Sequence, residues 1–320
     1  MASGIQRESS SPVRVVAAIL VRADGHFLLA CRPPGKPYPG YWEFPGGKIE
    51  ANESARDALA RELYEELGIT VIHAAPWLTR EFHYPHATVN IQFYRITQWL
   101  NEPTAREKQQ LTWQSIKNVT VSPLLPANQP ILRALALPSV YVISNASETS
   151  EVQSLEMIDS ALQSGVKLLQ VREKNMPSTR LADFAMKILE KARHYQASVL
   201  INENITMAQT LGADGVHLTS AQLLKAATRP AVNWCGASCH NEEELYQAVS
   251  LGVDFVTLSP LYPTRSHPAM PTLGWRRFST LIRDYPLPVY ALGGMSMIDL
   301  DSAQEQGAQG VAFMRTLLHI

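Results

Sequence analysis

Apolar and polar positions along the chain follow two rhythms, and the change comes near residue 138. The first opens with VRVVAAILVR (13–22), an apolar, β-branched run. Ala23-Asp24-Gly25 reads as a turn into HFLLACR (26–32), so the pattern predicts a hairpin. Proline and glycine dominate 33–40, as in a loop. Residues 46–69, GGKIEANESARDALARELYEELGI, read as a glycine turn, a short loop and a helix. Leu59, Leu63 and Leu67 form the apolar stripe of that helix, and Gly68 suits a left-handed C-terminal cap. Asn52 or Ser54 caps the other end, with Asp57 three residues beyond Ser54. IHAAPWLTREFHYP and ATVNIQFYRITQWL have the length and alternation of neighbouring strands, and PANQPILRALAL closes the region as a short helix. Mixed strands with a helix on each face predict an α/β/α sandwich over residues 13–137, after a polar, disordered segment 1–12.

From VYVIS at 140 the order becomes apolar strand, amphipathic helix, glycine, strand. The unit recurs as GVKLLQV at 165, GADGVHL at 212, GVDFVTL at 252 and GAQGVAF at 307. Eight strands follow in order: VYVIS, KLLQVRE, SVLIN, GVHL, WCGAS, FVTLSP, PVYALGG and GVAFM. Eight parallel βα units predict a compact (β/α)8 TIM barrel over 138–320, with a short last helix. The C-terminal strand ends of such a barrel form its active face. Gln170, Arg172 and Lys174 alternate at strand spacing, and Asn202, His217, Ser238, Ser259, Gly293 and Gly294 stand at other strand ends. Arginine, lysine and glycine amides together favour phosphate, so Gln170, Arg172, Lys174, Asn202, Ser238, Gly293 and Gly294 are read as an anion site.

Charge narrows the picture. The 28 basic and 29 acidic residues divide as 14 and 12 before residue 139 and 14 and 17 after it, so neither region carries the basic excess of a nucleic-acid binder. Three cysteines do not make a disulfide framework, and Cys235, Cys239 and His240 lack further clustered ligands for a metal. No signal-peptide core opens the chain, and no apolar run reaches the roughly 18 residues of a membrane span, so a cytoplasmic protein is expected.

The sharper chemistry lies on the 46–69 helix. At about 100° per residue, Glu62, Glu65 and Glu66 fall on one arc beside the leucine stripe, and none has a lysine one turn onward. Crowded carboxylates call for positive charge, and hard divalent cations take oxygen ligands. The segment also fits G-x5-E-x7-R-E-U-x-E-E-x-G-U (U apolar) through Gly47, Glu53, Arg61, Glu62, Leu63, Glu65, Glu66, Gly68 and Ile69. It is thereby identified as a Nudix box.

With WEFPGGKIE, Glu102-Pro103, Trp113 and PANQP (126–130), residues 13–137 resemble the MutT-type Nudix hydrolases of 8-oxo-dGTP. The resemblance implies Mg²⁺, with Mn²⁺ as substitute, held by Glu62, Glu65, Glu66 and the loop residue Glu107, with Gly46 at the metal. One of the glutamates acts as or orients a general base, and Arg61 orients the carboxylates, although Glu53 is an alternative partner for it. It implies a nucleoside triphosphate substrate attacked at the β-phosphorus, releasing a nucleoside monophosphate and pyrophosphate, and so removal of oxidised guanine nucleotides before DNA synthesis. Arg32, Phe44, Gly47 and Asn128 match nucleotide contacts, Asn128 reading the base edge unless it caps the helix near Pro130. A second base-reading arginine of the family falls near Ala87 here, where only His86 stands close.

Residues 140–316 resemble thiamin phosphate synthase and its TenI relatives through QVREK, LIN, GVHL, GAS, SPLYPT and ALGG. That likeness implies a thiamin-related phosphate ligand. Glu203 and Gln222 replace the two metal-binding aspartates, Ser266-His267 replaces a Thr-Lys pair, and Met314-Arg315 stands near an expected phosphate-binding serine. Synthase activity is therefore expected to be weak, leaving a ligand-sensing module or a thiamin-related diphosphate as substrate of the hydrolase as alternatives.

Overall fold

The computed structural model describes residues 11–264 and 271–314. The segment 1–10, Ser266-His267 and Arg315 lie outside them. The chain divides into two compact units: one ends at Gln129, and the other runs from Pro130 and takes in Ala75–Trp77.

The first unit holds β1 (Val13–Leu20), β2 (Phe27–Cys31), β3 (Trp42–Glu43), β4 (Gly46–Lys48), α1 (Ala55–Leu67), β5 (Thr70–Tyr84), β6 (Ala87–Leu100) and β7 (Gln110–Gln114). A mixed sheet runs β4-β1-β6-β5, and a second sheet runs β3-β2-β7. This corrects the expected hairpin. β1 pairs parallel with β6 along its whole length and antiparallel with β4, and only the Val21–Phe27 bridge at the turn joins it to β2. A strand has two edges, and those of β1 are taken by β4 and β6. β2 therefore pairs with β3 and β7 in the other sheet.

α1 forms as its pattern requires. Ser54 is the N-cap and accepts from the Asp57 N–H at 3.2 Å, while Gly68 closes the helix at φ 72°. Leu59, Leu63 and Leu67 are wholly buried against Val16, Ala18, Leu20 and Leu28. A 3-10 turn, Pro126–Asn128, leads into α2 (Gln129–Leu135), the short helix expected at the end of the first region; from Pro130 it groups with the second unit.

The second unit is a closed barrel of eight parallel strands: β8 (Val140–Ile143), β9 (Leu168–Val171), β10 (Ser198–Asn202), β11 (Gly215–Leu218), β12 (Trp234–Cys239), β13 (Phe255–Leu258), β14 (Val289–Leu292) and β15 (Gly310–Phe313). Between them lie α3 (Glu151–Gln163), α4 (Ser178–His194), α5 (Ile205–Leu211), α6 (Ser220–Lys225), α7 (Glu242–Leu251), α8 (Gly274–Ile282) and α9 (Leu300–Glu305). Tyr141, Leu168, Leu200, Phe255, Tyr290 and Ala312 cluster inside. Alternate residues such as Val142, Leu169, Val199 and Val256 join the outer core with helix residues including Phe184 and Leu245. The two sets follow the two-residue period of a strand covered on both faces. Among the described residues no helix is long and apolar enough to cross a membrane.

Closure depends on β15 meeting β8. A Cβ on Gly310 would lie 1.7 Å from the Ser139 carbonyl oxygen, a backbone atom that cannot step aside. Gly310→Ala should destabilise the barrel by about 3 kcal/mol, at the upper end of overpacking costs; urea unfolding followed by circular dichroism measures it.

Candidate functional site

The site in the first unit is built on the end of α1. A helix leaves its last carbonyls unpaired, and here the loop 101–109 covers them. Thr104 N–H donates to Leu67 O at 2.9 Å and Arg106 N–H to Glu66 O at 3.1 Å. The buried Gln109 side chain donates to Glu66 O at 2.8 Å and accepts from Glu107 N–H at 2.7 Å. This stitching carries the Glu107 carboxylate to Glu66, 41 positions earlier in the chain.

Lys36, from the loop between β2 and β3, joins them. Its Nζ lies 2.6 Å from Glu107 Oε2 and 3.5 Å from Glu66 Oε1. Glu66 is mostly buried, and its pKa is pushed up to about 7. Burial is the main cause; Lys36 opposes it, while Glu107, Glu43 and Glu62 add to it. Glu62 lies against Gly47, where a Cβ would come within 2.2 Å of the carboxylate. Gly46 N–H points to Glu66 Oε2 at 3.4 Å. Glu65 is turned away: it is more than half exposed and pairs with Arg61 at 3.2 Å.

Arg61 serves both partners weighed from the sequence. It forks onto Glu53 at 2.9 and 3.0 Å, reaches Glu62 at 3.0 Å and donates to Lys48 O at 3.1 Å. The Glu53 hydrogen bonds foremost raise the arginine pKa further, and they lower that of Glu53. Arg61 thus fixes the rotamers of Glu62 and Glu65.

The converging donors are all oxygen, which suits Mg²⁺ or Mn²⁺. Among the described residues no three acidic, histidine or cysteine side chains stand at metal-holding distance from one another, and each carboxylate faces a protein cation instead. The donor set fits such an ion in kind, with the Lys36 ammonium between Glu66 and Glu107. Glu43 and Lys36 were missed in the sequence. Glu43 lies within WEFPGG, two residues after Tyr41, but a carboxylate on a two-residue strand carries no periodic signal.

The residues matched to nucleotide contacts fall out differently. Arg32 is engaged internally, with Glu43 at 2.6 Å and the Pro37 carbonyl at 2.6 Å. Phe44 is buried in ring contact with Phe27 and Phe93. Asn128 is buried, and its Nδ2 has no hydrogen-bond partner among the described residues. Near it, the Tyr84 hydroxyl bonds to the backbone of Ala127. The Tyr84 ring stacks on His86 at 5.6 Å and meets Tyr38 at 5.4 Å, an aromatic group that the sequence did not bring together.

Inside the barrel, Gln170 donates to the Tyr141 hydroxyl at 2.8 Å, Tyr141 lies 3.2 Å from His217 Nδ1, and His217 Nε2 lies 3.1 Å from Ser238 Oγ. Burial foremost, and then Arg172, push the His217 pKa down to about 3, so the ring is neutral. The expected alternation of Gln170, Arg172 and Lys174 needs correction, because β9 ends at Val171. Gln170 points into the barrel, Arg172 is half-buried with Nη1 3.9 Å from the Met314 sulfur, and Lys174 is exposed in the following turn. Asn202 is buried at the end of β10. Gly293 and Gly294 have φ of 103° and 72°, and side chains there would strike Leu261 and Tyr262. Gln222 closes a capping box with Thr219 and donates to the Glu203 carbonyl at 2.8 Å.

Fold and site together define a two-part α/β protein, a Nudix hydrolase domain followed by a parallel barrel. Residues 11–135 match the family model for the NUDIX domain, and residues 140–317 match that for thiamine monophosphate synthase, TMP-TENI. A putative thiamine-phosphate synthase of Geobacter sulfurreducens is 32% identical over 184 residues, 56% of this chain and 86% of that protein. A putative thiamine-phosphate synthase 2 of Aquifex aeolicus is 33% identical over 180 residues, 56% of this chain and 96% of that protein. A solved MutT structure, from work on Aliivibrio salmonicida and Vibrio cholerae, is 33% identical and covers 39% of this chain and 97% of its own, at a TM-score of 0.35. The chain belongs to the thiamine monophosphate synthase (TMP-TENI) family through its barrel, and it carries a NUDIX domain in front.

The buried acid makes a testable demand. Folded Glu66 keeps its proton up to about pH 7, whereas an unfolded glutamate releases it near 4.3. The folded state therefore holds more protons between those values, and metal-free stability falls as pH rises through that window. Glu66→Gln should remove the slope, adding on the order of 2 kcal/mol at pH 8 and nothing near pH 4. Chemical denaturation in EDTA at the two pH values checks this.

Proposed function

We propose that the Nudix domain is a Mg²⁺-dependent nucleoside triphosphate pyrophosphohydrolase acting on 8-oxo-dGTP. The observation that carries the reading is the pairing of Glu66 and Glu107 on one lysine, with Glu62 one turn earlier on the same helix against Gly47, in a unit that also holds the unpaired buried amide of Asn128. In this reading Glu62, Glu66, Glu107 and the Gly46 backbone hold the ion, with Glu65 at its margin. A bound divalent cation would neutralise triphosphate charge and favour deprotonation of water. One of the box glutamates accepts the proton of the attacking water or orients the group that does. Arg61 holds Glu62 in place and Gly47 leaves room for it. The water oxygen bonds to the β-phosphorus as the bond from that phosphorus to the α–β bridging oxygen breaks. The bridging oxygen leaves on the nucleoside monophosphate, and the water oxygen ends in pyrophosphate. Asn128 Nδ2 supplies a donor to an acceptor on the base edge, and Tyr84 and His86 supply faces for stacking. Such an enzyme works in the cytoplasm on the nucleotide pool and needs no nucleic-acid contact.

Membership of the thiamine monophosphate synthase family favours a second role for the barrel, binding of a thiamin-related phosphate at Arg172, Lys174, Gly293 and Gly294 without synthase chemistry. Gln222 stands where the resemblance implies a metal-binding aspartate, and its amide is spent on a cap and on the Glu203 carbonyl.

Pyrophosphate release from 8-oxo-dGTP and dGTP, and orthophosphate release from thiamin diphosphate, decide the substrate. The expected result is a kcat/KM for 8-oxo-dGTP about 100-fold above dGTP, a loss of 10²–10⁴-fold in kcat in Glu66→Gln, and a reduced preference in Asn128→Ala. If thiamin diphosphate turns over fastest, the hydrolase chemistry stands and the nucleotide reading falls.

Calorimetric titration with thiamin monophosphate tests the barrel. Binding in the wild type and its loss in Arg172→Ala support a ligand module, and heat-silent titration of the wild type removes that role.

A further inference from the structure

Lys36 stands at the rim of a loop closed on itself. Arg32 accepts the Gly40 N–H at its carbonyl, donates its own N–H to Tyr41 O, and sends Nε to Pro37 O at 2.6 Å. Pro33, Pro34, Pro37 and Pro39 limit its backbone further. The loop therefore presents the Lys36 ammonium to carboxylates that come from two other elements, α1 and the loop 101–109. An ammonium bridging Glu66 and Glu107 uses the same oxygens that a divalent cation would need. Two cations cannot share them, because both the ligand atoms and the local field are already committed. The lysine is itself 42% exposed, and an ion pair so open to water is weak enough to be exchanged.

We infer that Lys36 is a positioning residue that closes the carboxylate site in the substrate-free enzyme and swings to the substrate phosphates when a metal-nucleotide complex takes its place. The inference rests on the metal-site reading above. The lysine keeps buried Glu66 from facing Glu107 without a counter-charge. It also lowers the affinity for free metal, and after exchange its charge faces a polyphosphate, for which an ammonium on a flexible stem is well suited. Free metal thus enters poorly, and metal carried by a nucleotide enters well.

Mn²⁺ binding to the full chain, followed by electron paramagnetic resonance without nucleotide, tests this directly. Lys36→Met should bind free Mn²⁺ about three- to fivefold more tightly than the wild type, the fold-change of an exposed ion pair removed. Lys36→Arg should stay at the wild-type value. In turnover with saturating Mg²⁺, Lys36→Met should raise the nucleotide KM severalfold while kcat changes by less than about twofold. Unchanged or weaker Mn²⁺ binding in Lys36→Met, with Glu66→Gln still losing it, overturns the exchange alone. If Glu66→Gln keeps full Mn²⁺ binding, the carboxylate site itself is wrong, and the role of Lys36 falls with it.

Discussion

The last turn of α1 ends in carbonyl oxygens that the helix cannot pair, and the candidate site follows from how they are covered. One buried glutamine, Gln109, donates to the Glu66 carbonyl and orders the Glu107 backbone. Covering a helix end and assembling an acidic cluster are therefore the same event. The cluster is electrostatically costly when empty, because burial and neighbouring carboxylates both favour the protonated form of Glu66. The protein answers with two cations of different character. Arg61, forked onto Glu53 and Glu62, is a fixed part of the frame. Lys36, exposed and reaching from another loop, is an exchangeable one.

The barrel solves the opposite problem. Its interior carries a neutral polar relay: Gln170, Tyr141, His217 and Ser238 satisfy one another across four strands, and the histidine is held neutral. A neutral relay costs little in a low dielectric so long as each member is paired. Charge is kept to the mouth, at Arg172 and Lys174. Glu173 does not join them, because its carboxylate is buried against Ser144 Oγ and the Ala146 N–H. Adjacent residues of QVREK thus divide between the solvent side and the buried frame.

Much of this was legible in the chain. The leucine stripe and the Gly68 terminus of α1 are local features, set by residues a turn or less apart, and the structure has them as read, with Ser54 the cap of the two that the sequence offered. The eight barrel strands were equally legible, because each is a short apolar run bounded by glycine or polar residues and buried on both faces. The hairpin of β1 and β2 was misread for a related reason. Its turn is local and forms, but the partner of a strand is a competition among distant edges, which β4 and β6 won. The alternation through Lys174 failed because periodicity does not say where a strand stops.

By itself, then, the sequence determined the two fold classes, the box helix with its acidic arc, and the need for positive charge beside it. Spacing along one helix is enough for such statements, since about 100° per residue converts order into direction. Only the tertiary structure decided which charges meet. It turned Glu65 toward solvent and Arg61, brought Glu107 and Lys36 to Glu66 from separate loops, set Arg32 on Glu43, and left the Asn128 amide buried without a partner. Those meetings span tens of residues and depend on how backbone groups far apart in the chain satisfy one another. No local pattern encodes them.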